Sequence, residues 1–246
     1  MKYNLLANKY DELVYDVDYD EIAKFYKEII ERYDIQVRDI LELGSGTGNI
    51  TEKFIGYNIF AIDISDEMLS VARSKFQGRR NISMFNMDIR NFCFNKRFDL
   101  CIASLDVINY LHKEEDIKKV FQLTYDHLKN NSLFIFDINS KYKIEKFIGN
   151  NIFTDEVDDV VYIWQGNYDD KTRINDYLLT FFIKGNDERY DRFSEIHSEK
   201  AYDEIKIKDI LKEVGFDKVE LYDDFSFKNI NENSLRISFV AYKKGE

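Results

Sequence analysis

The sequence predicts an α/β fold organised on a doubly wound, mostly parallel sheet. Three observations carry this. Short apolar runs alternate with helix-period segments from Asp39 to Ile138. A glycine-rich turn joins the first run to the helix that follows it, and acids close the second and third runs at Asp63 and Asp88.

Taken in order, residues 1–36 read as helical and amphipathic. Tyr10, Leu13 and Val14 share one face, and Ile22, Phe25, Tyr26, Ile29 and Ile30 continue the period beyond a polar joint at D-V-D-Y-D. Asp20 is the expected N-cap of the second helix. Asp39 to Asn49, D-I-L-E-L-G-S-G-T-G-N, reads as strand, glycine turn and helix start. That layout offers backbone N–H groups to a ligand, and a side chain at a glycine would block the turn or the approach. Ile59–Ile64 is the next strand; Ser65 then caps the helix D-E-M-L-S-V-A-R-S-K-F, whose first turn is acidic. Ile82–Met87 and Phe98–Ser104 are strands, Asp116–Leu128 a helix and Ser132–Ile138 a further strand.

Past Lys141 the rhythm changes. Val160–Tyr168, Arg173–Lys184 and Tyr190–His197 are β-type runs without intervening helices, and D-D-K-T makes a hairpin turn between the first two. Three antiparallel strands are expected here, as an insertion over 151–199. The helical period returns at Asp203–Val214, closed by Gly215, and strands over Lys218–Tyr222 and Leu235–Tyr242 finish the chain.

The composition, 44% hydrophobic and 33% charged over 246 residues, belongs to a globular chain of one large domain with room for an insertion. No stretch approaches the apolar length of a membrane span, and the first ten residues lack a secretory core, so a cytoplasmic protein is expected. Cys93 and Cys101 read as small buried hydrophobes rather than a disulfide or metal pair, and no metal site is expected. A net charge of −11 repels phosphate backbones and anionic lipid, so nucleic acid and membrane are poor partners. The basic run Arg73–Arg80 reads as a solvated helix end. Monomer and homodimer both stay open.

The glycines fall as G-x-G-x-G, at Gly44, Gly46 and Gly48, with Asn49 where a dinucleotide-binding turn would place its last glycine. Asp63 is placed to accept both hydroxyls of a ribose, and Asp88 an exocyclic amine, with Ile64 and Ile89 beside a flat base. All of these meet beyond the strand C-termini, where ligands of open α/β sheets sit. The joint pattern points to a nucleoside site.

With those residues in view, E-L-G-S-G-T-G resembles motif I of the class I S-adenosylmethionine-dependent methyltransferases. A-I-D-I-S-D-E-M-L resembles their second motif and N-M-D-I-R-N-F their third. The resemblance is strong over residues 35–140. It implies a Rossmann-like sheet of seven strands with the last antiparallel, and a core formed by 1–150 and 200–246 with 1–36 as a helical lid. S-L-D-V-I-N-Y-L, Y-D-E-L-V-Y and H-S-E-K-A-Y-D-E-I are similar to a small-molecule subgroup that contains sugar N,N-dimethyltransferases and has glycine N-methyltransferase relatives. In that subgroup the insertion covers the substrate.

The same resemblance implies S-adenosyl-L-methionine as cofactor, with S-adenosyl-L-homocysteine as product. Gly44, Ser45 and Gly46 would approach its methionine part and Glu42 its amine. Asp63 would take the ribose, Ile64 and Met68 would flank the adenine, and Asp88 and Ile89 would complete that site. Ser104 and Leu105 would lie beneath the sulfonium, and Tyr10 and Tyr15 would close over it. Around a small-molecule acceptor the candidates are Asp106, Asn109, Tyr110, Arg192 and His197, with Tyr19 from the helical lid; a histidine suits proton removal from an ammonium or hydroxyl. N-P-P-Y, which marks amino-methylating enzymes on DNA, is absent because the chain has no proline. N-methylation of an amine or amino sugar stands ahead of O-methylation. An NAD(P)-dependent oxidoreductase and a catalytically silent cofactor-binding protein are the alternatives.

Overall fold

The computed structural model describes residue 11 and residues 17–185 and 189–245. Tyr10 and Tyr15, expected to close over the cofactor, lie outside the described residues.

The first described helix, α1 (Tyr19–Arg32), is capped by Asp18, whose side chain accepts from the Glu21 amide. The expected cap, Asp20, sits instead in the first turn and pairs with Lys53 at 2.7 Å. Its buried face, Ile22, Phe25, Tyr26, Ile29 and Ile30, follows the helical period and packs on Ile40, Leu100, Ile102 and Ile135 of the sheet. Truncating Ile29, which is fully buried, to alanine would cost roughly 2–5 kcal/mol.

From there strands and helices alternate: β1 (Asp39–Leu43), α2 (Asn49–Lys53), β2 (Asn58–Asp63), α3 (Asp66–Lys75), β3 (Ile82–Asn86), β4 (Phe98–Ala103), a 3₁₀ turn (Val107–Tyr110), α4 (Glu114–His127) and β5 (Leu128–Asn139). Ser65 caps α3 by accepting from the Met68 amide, as its position predicts. A π-helical turn (Lys143–Ile148) leads to β6 (Ile152–Val157), β7 (Val160–Asp169), β8 (Ile174–Lys184) and β9 (Tyr190–Lys200). Helix α5 (Glu204–Val214) follows, capped by Asp203 and ended by Gly215 at φ +122°; β10 (Lys218–Asp223) and β11 (Arg236–Lys243) complete the order.

Seven strands form one sheet in the order β10-β11-β5-β4-β1-β2-β3. Strands β3, β2, β1, β4 and β5 are parallel, and β11 runs antiparallel to both β5 and β10. Because side chains alternate along a strand, Leu41 and Leu43 face the α4–α5 side while Ile40 faces α1. The second sheet is antiparallel, in the order β6-β7-β8-β9. It has four strands rather than three. The added β6 carries I-F-T-D-E-V, an edge strand whose charges hide its period. Asp169 ties the β7–β8 turn by accepting from the Lys171 amide and the Thr172 hydroxyl, both at 2.9 Å.

Cys101 is buried, but Cys93 is exposed, because it lies in the loop before β4 with its neighbour Phe92 turned inward. Among the described residues no helix is long and apolar enough to cross a membrane.

Candidate functional site

A cleft opens at the C-terminal ends of β1 and β4, lined by Tyr19, Glu42, Gly44, Ser45, Gly46, Thr47, Ser104, Leu105 and Val107. Its wall is the glycine turn. The amides of Gly44 and Ser45 both donate to the Ile62 carbonyl, at 2.8 and 3.1 Å, which hooks the turn to the end of β2. Gly44 holds φ +68°, and a Cβ there would come within 2.5 Å of Val107. Over Gly46 no atom of the described residues lies within 4 Å of where a Cβ would be, which leaves the backbone accessible on that side. The Ser45 hydroxyl is buried with no hydrogen-bond partner among the described residues. An orphaned polar atom beside open backbone fits the polar end of a bound molecule.

Asp63, at the end of β2, accepts from the amides of Gly46 and Ser65, each at 2.8 Å. Burial pushes its carboxyl up, against the pull of those amides. Glu42 is buried on β1 and accepts from the Thr51 hydroxyl at 2.5 Å. Burial, assisted by the nearby charge of Asp63, pushes its carboxyl up to about 7. Asp11 reaches the same turn, accepting from Thr47 at 2.6 Å and Asn49 at 2.9 Å and pairing with Lys75 at 2.7 Å.

Beyond β2, Ile64 is 70% exposed, an apolar side chain at the mouth of the site; Met68 and Ile89 are half-buried. Arg90 donates to both oxygens of Asp88, and that guanidinium keeps the carboxyl below the usual range. On the floor, the Ser104 hydroxyl meets Tyr26 Oη at 2.9 Å. Leu105 and Asp106 follow in the left-handed region, at φ +62° and +60°, and their amides donate to the two oxygens of the buried Asp137, at 2.6 and 3.0 Å.

Within the 3₁₀ turn, residues three apart eclipse, so Tyr110 stands on the face of Val107, which lines the cleft. Tyr110 Oη lies 3.3 Å from His197 Nδ1 on β9, and the rings meet edge to face at 6.0 Å. His197 Nε2 lies 3.1 Å from Glu195. Two residues 87 positions apart are thus brought together.

Two acceptor candidates stand elsewhere. Asn109 is fully buried, and its amide binds the carbonyls of Asn139 and Lys200 and the Asn139 amide; it fastens the turn to β5 and β9. Arg192 is exposed and of opposite parity to His197 on β9, so strand alternation turns it to the other face. A larger cavity, of about 260 Å³, lies near the end of β5 and the start of β11, between Ser140, Tyr142, Glu145 and Ile237. The cofactor assignment follows the glycine cleft instead, because the orphaned Ser45 hydroxyl and the open Gly46 backbone are there.

Residues 40–131 match the family model described as "Methyltransferase domain". A Bacillus subtilis protein named "Putative methyltransferase YqeM" is 32% identical over 99% of this chain and 98% of its own length. The chain belongs to the S-adenosylmethionine-dependent methyltransferases. A crystal structure of an S-adenosylmethionine-dependent methyltransferase from Clostridium acetobutylicum is 36% identical, covers all of both chains and superposes with a TM-score of 0.90. The sugar N-methyltransferase KedS8 of Streptoalloteichus shares the fold at 15% identity, with a TM-score of 0.78 over 96% of this chain and 93% of its own. As a methyltransferase of this family, the protein uses S-adenosylmethionine, and the glycine turn with its orphaned serine fits that cofactor.

Sequence reasoning missed Asp137, which accepts from the Leu105 and Asp106 amides, and Arg236, which donates to it. Asp137 lies inside a fully buried strand run, and only its polarity among L-F-I-F-D-I marks it. A lone carboxylate in an otherwise apolar strand was the available signal.

Proposed function

We propose that the protein methylates a nitrogen of a small-molecule amine or amino sugar, with the acceptor entering between the cleft floor and residues 151–199 as cover. The meeting of Tyr110 with His197, backed by Glu195 and beside the cleft residue Val107, carries this reading. The shared fold of a sugar N-methyltransferase supports it.

Bound cofactor supplies an electrophilic methyl group, so the chain's task is to align a nucleophile and remove its proton. Gly44, Ser45, Gly46 and Glu42 would hold the methionine part, and Asp63 the ribose. Ile64, Met68, Asp88 and Ile89 would surround the adenine, and Ser104 and Leu105 would form the floor. Tyr19, which lines the cleft, and Asp106 would flank the acceptor. An ammonium must lose a proton before it attacks. In the tautomer with its proton on Nε2, His197 would donate to Glu195 and leave Nδ1 to accept from the Tyr110 hydroxyl. The proton would pass to Tyr110 Oη as the hydroxyl proton moves to His197 Nδ1, and the resulting imidazolium faces Glu195. His197 thus acts through Tyr110 rather than on the acceptor directly.

The test is transfer of isotope-labelled methyl from S-adenosylmethionine into a cell extract, fractionated by size. Label in the small-molecule fraction supports the proposal; label confined to protein or nucleic acid contradicts it.

A further inference from the structure

Beneath the cleft floor stands a group of three charges, Asp137 fully buried and Asp106 and Arg236 half-buried, that the proton route through Tyr110 does not use. Leu105 and Asp106 are consecutive non-glycine residues with positive φ, a strained arrangement that persists only where its surroundings impose it. Here the imposing group is Asp137 on β5, fully buried, which accepts from both amides. Asp106 also presents its carboxylate to the same region. Between the two stands Arg236, at the start of β11. Its Nη1 donates to Asp137, and both Nη1 and Nη2 lie 3.1 Å from Asp106 Oδ1. The arginine is 130 positions from Asp106 and 99 from Asp137, and it belongs to the one strand of the sheet that runs against β5.

We propose that Arg236 is a positioning residue: by neutralising Asp106 and Asp137 together it holds the Leu105–Asp106 peptide in the shape on which the bound cofactor rests. This rests on the placing of the cofactor over Leu105. Both carboxylates bond the one guanidinium, so without that cation the fully buried Asp137 would face a second negative charge uncompensated, which disfavours ionisation of both together. The pair would then either take up a proton or spread apart. Spreading would withdraw Asp137 from the two amides and release the strained backbone.

Among the described residues, other charged and titratable groups face the trio, Tyr177 of β8 acting on Asp106. Asp224, after β10, lies 3.9 Å from Arg236 Nε. Lys143 and Glu199 act on it from the π-helical turn and β9, and Tyr26 from α1. The Phe225 ring centre lies 5.8 Å from the guanidinium carbon. Lys143 donates to Asn139 at 2.8 Å, so it is engaged elsewhere and does not replace the arginine.

The experiment compares wild type, Arg236→Met, Arg236→Lys and the double variant Arg236→Met/Asp106→Asn. Two quantities are read: hydrogen-exchange protection of the Leu105 and Asp106 amides without cofactor, and the S-adenosylmethionine Kd by calorimetry at several pH values. In Arg236→Met, protection should survive at acid pH, where one carboxyl is protonated, and fall as pH rises. The ratio of variant to wild-type Kd should climb by about tenfold per pH unit over the range in which that proton is lost. Arg236→Lys, which keeps the charge, and the double variant, which removes the repulsion, should both restore most of the protection and flatten the ratio. If Arg236→Met does not fold, the other two variants carry the test. Protection in Arg236→Met equal to wild type at every pH would overturn the proposal, as would pH-independent loss that the double variant does not restore. Lost protection with an unchanged Kd ratio would overturn it too, and would trace the failure to the placing of the cofactor rather than to the clamp.

Discussion

Glu42→Gln separates the charge of the cleft from its shape. The substitution keeps the volume, and the amide oxygen can still accept from Thr51, whose hydroxyl bonds Glu42 at 2.5 Å. In the protein without cofactor, burial raises this carboxyl from 4.5 to about 7. Ionising it in place therefore costs about 3 kcal/mol, at 1.36 kcal/mol per pH unit. The neutral form is the one that the fold favours, so stability from this group is full below pH 4.5 and is lost as pH rises towards about 7. Glu42→Gln should accordingly raise the stability of the cofactor-free protein at pH 8 by up to about 3 kcal/mol and leave it unchanged at pH 4. Placed beside Glu42 as proposed, the cationic amine of the cofactor would reverse the preference and favour the carboxylate. Binding at pH 5.5 must then expel a proton, and wild-type affinity should be about 30-fold weaker there than at pH 8.5. Calorimetry in buffers of different ionisation enthalpy would count that proton. Glu42→Gln should lose both the proton release and its share of the pH slope. Equal slopes and equal proton counts in the two proteins would refute the assignment of Glu42 to the cofactor amine.

Other substitutions probe the remaining parts. Asp63→Ala removes a charged acceptor and also orphans the Gly46 and Ser65 amides, so S-adenosylmethionine binding by calorimetry should weaken by about 10–150-fold, with Asp63→Asn intermediate. Unchanged affinity would count against the ribose assignment. Gly48→Ala places a Cβ 2.6 Å from the Phe76 ring at φ +84°, and should lower stability in a urea titration by about 1–3 kcal/mol. Once an acceptor is in hand, His197→Asn should lower kcat by about 10²–10⁴-fold and remove the acid limb of its pH profile. A profile matching wild type would discard the proton route through Tyr110.

The core of the fold was legible because local pattern decides it. The glycine turn, the Ser65 cap and the Gly215 stop each follow from backbone conformations that few residues satisfy. What escaped depends on partners distant in the chain. Asn109 carries the same side chain whether it meets a ligand or clasps β5 to β9, and only the tertiary contacts distinguish the two. Arg192 and His197 both looked available on one strand, and the pleat separates them. Asp88 was readable as the acid closing β3, but its bidentate contact with Arg90 was not. Asp137 and Arg236 were invisible as a pair, since nothing local joins two positions 99 residues apart.

Whether the acceptor atom is a nitrogen of a small molecule is decided by purifying the product formed from methyl-labelled S-adenosylmethionine and locating the methyl group by NMR. A methyl bonded to an amine nitrogen of a small molecule is the result predicted. A methyl on oxygen, on carbon or on a macromolecule would contradict it.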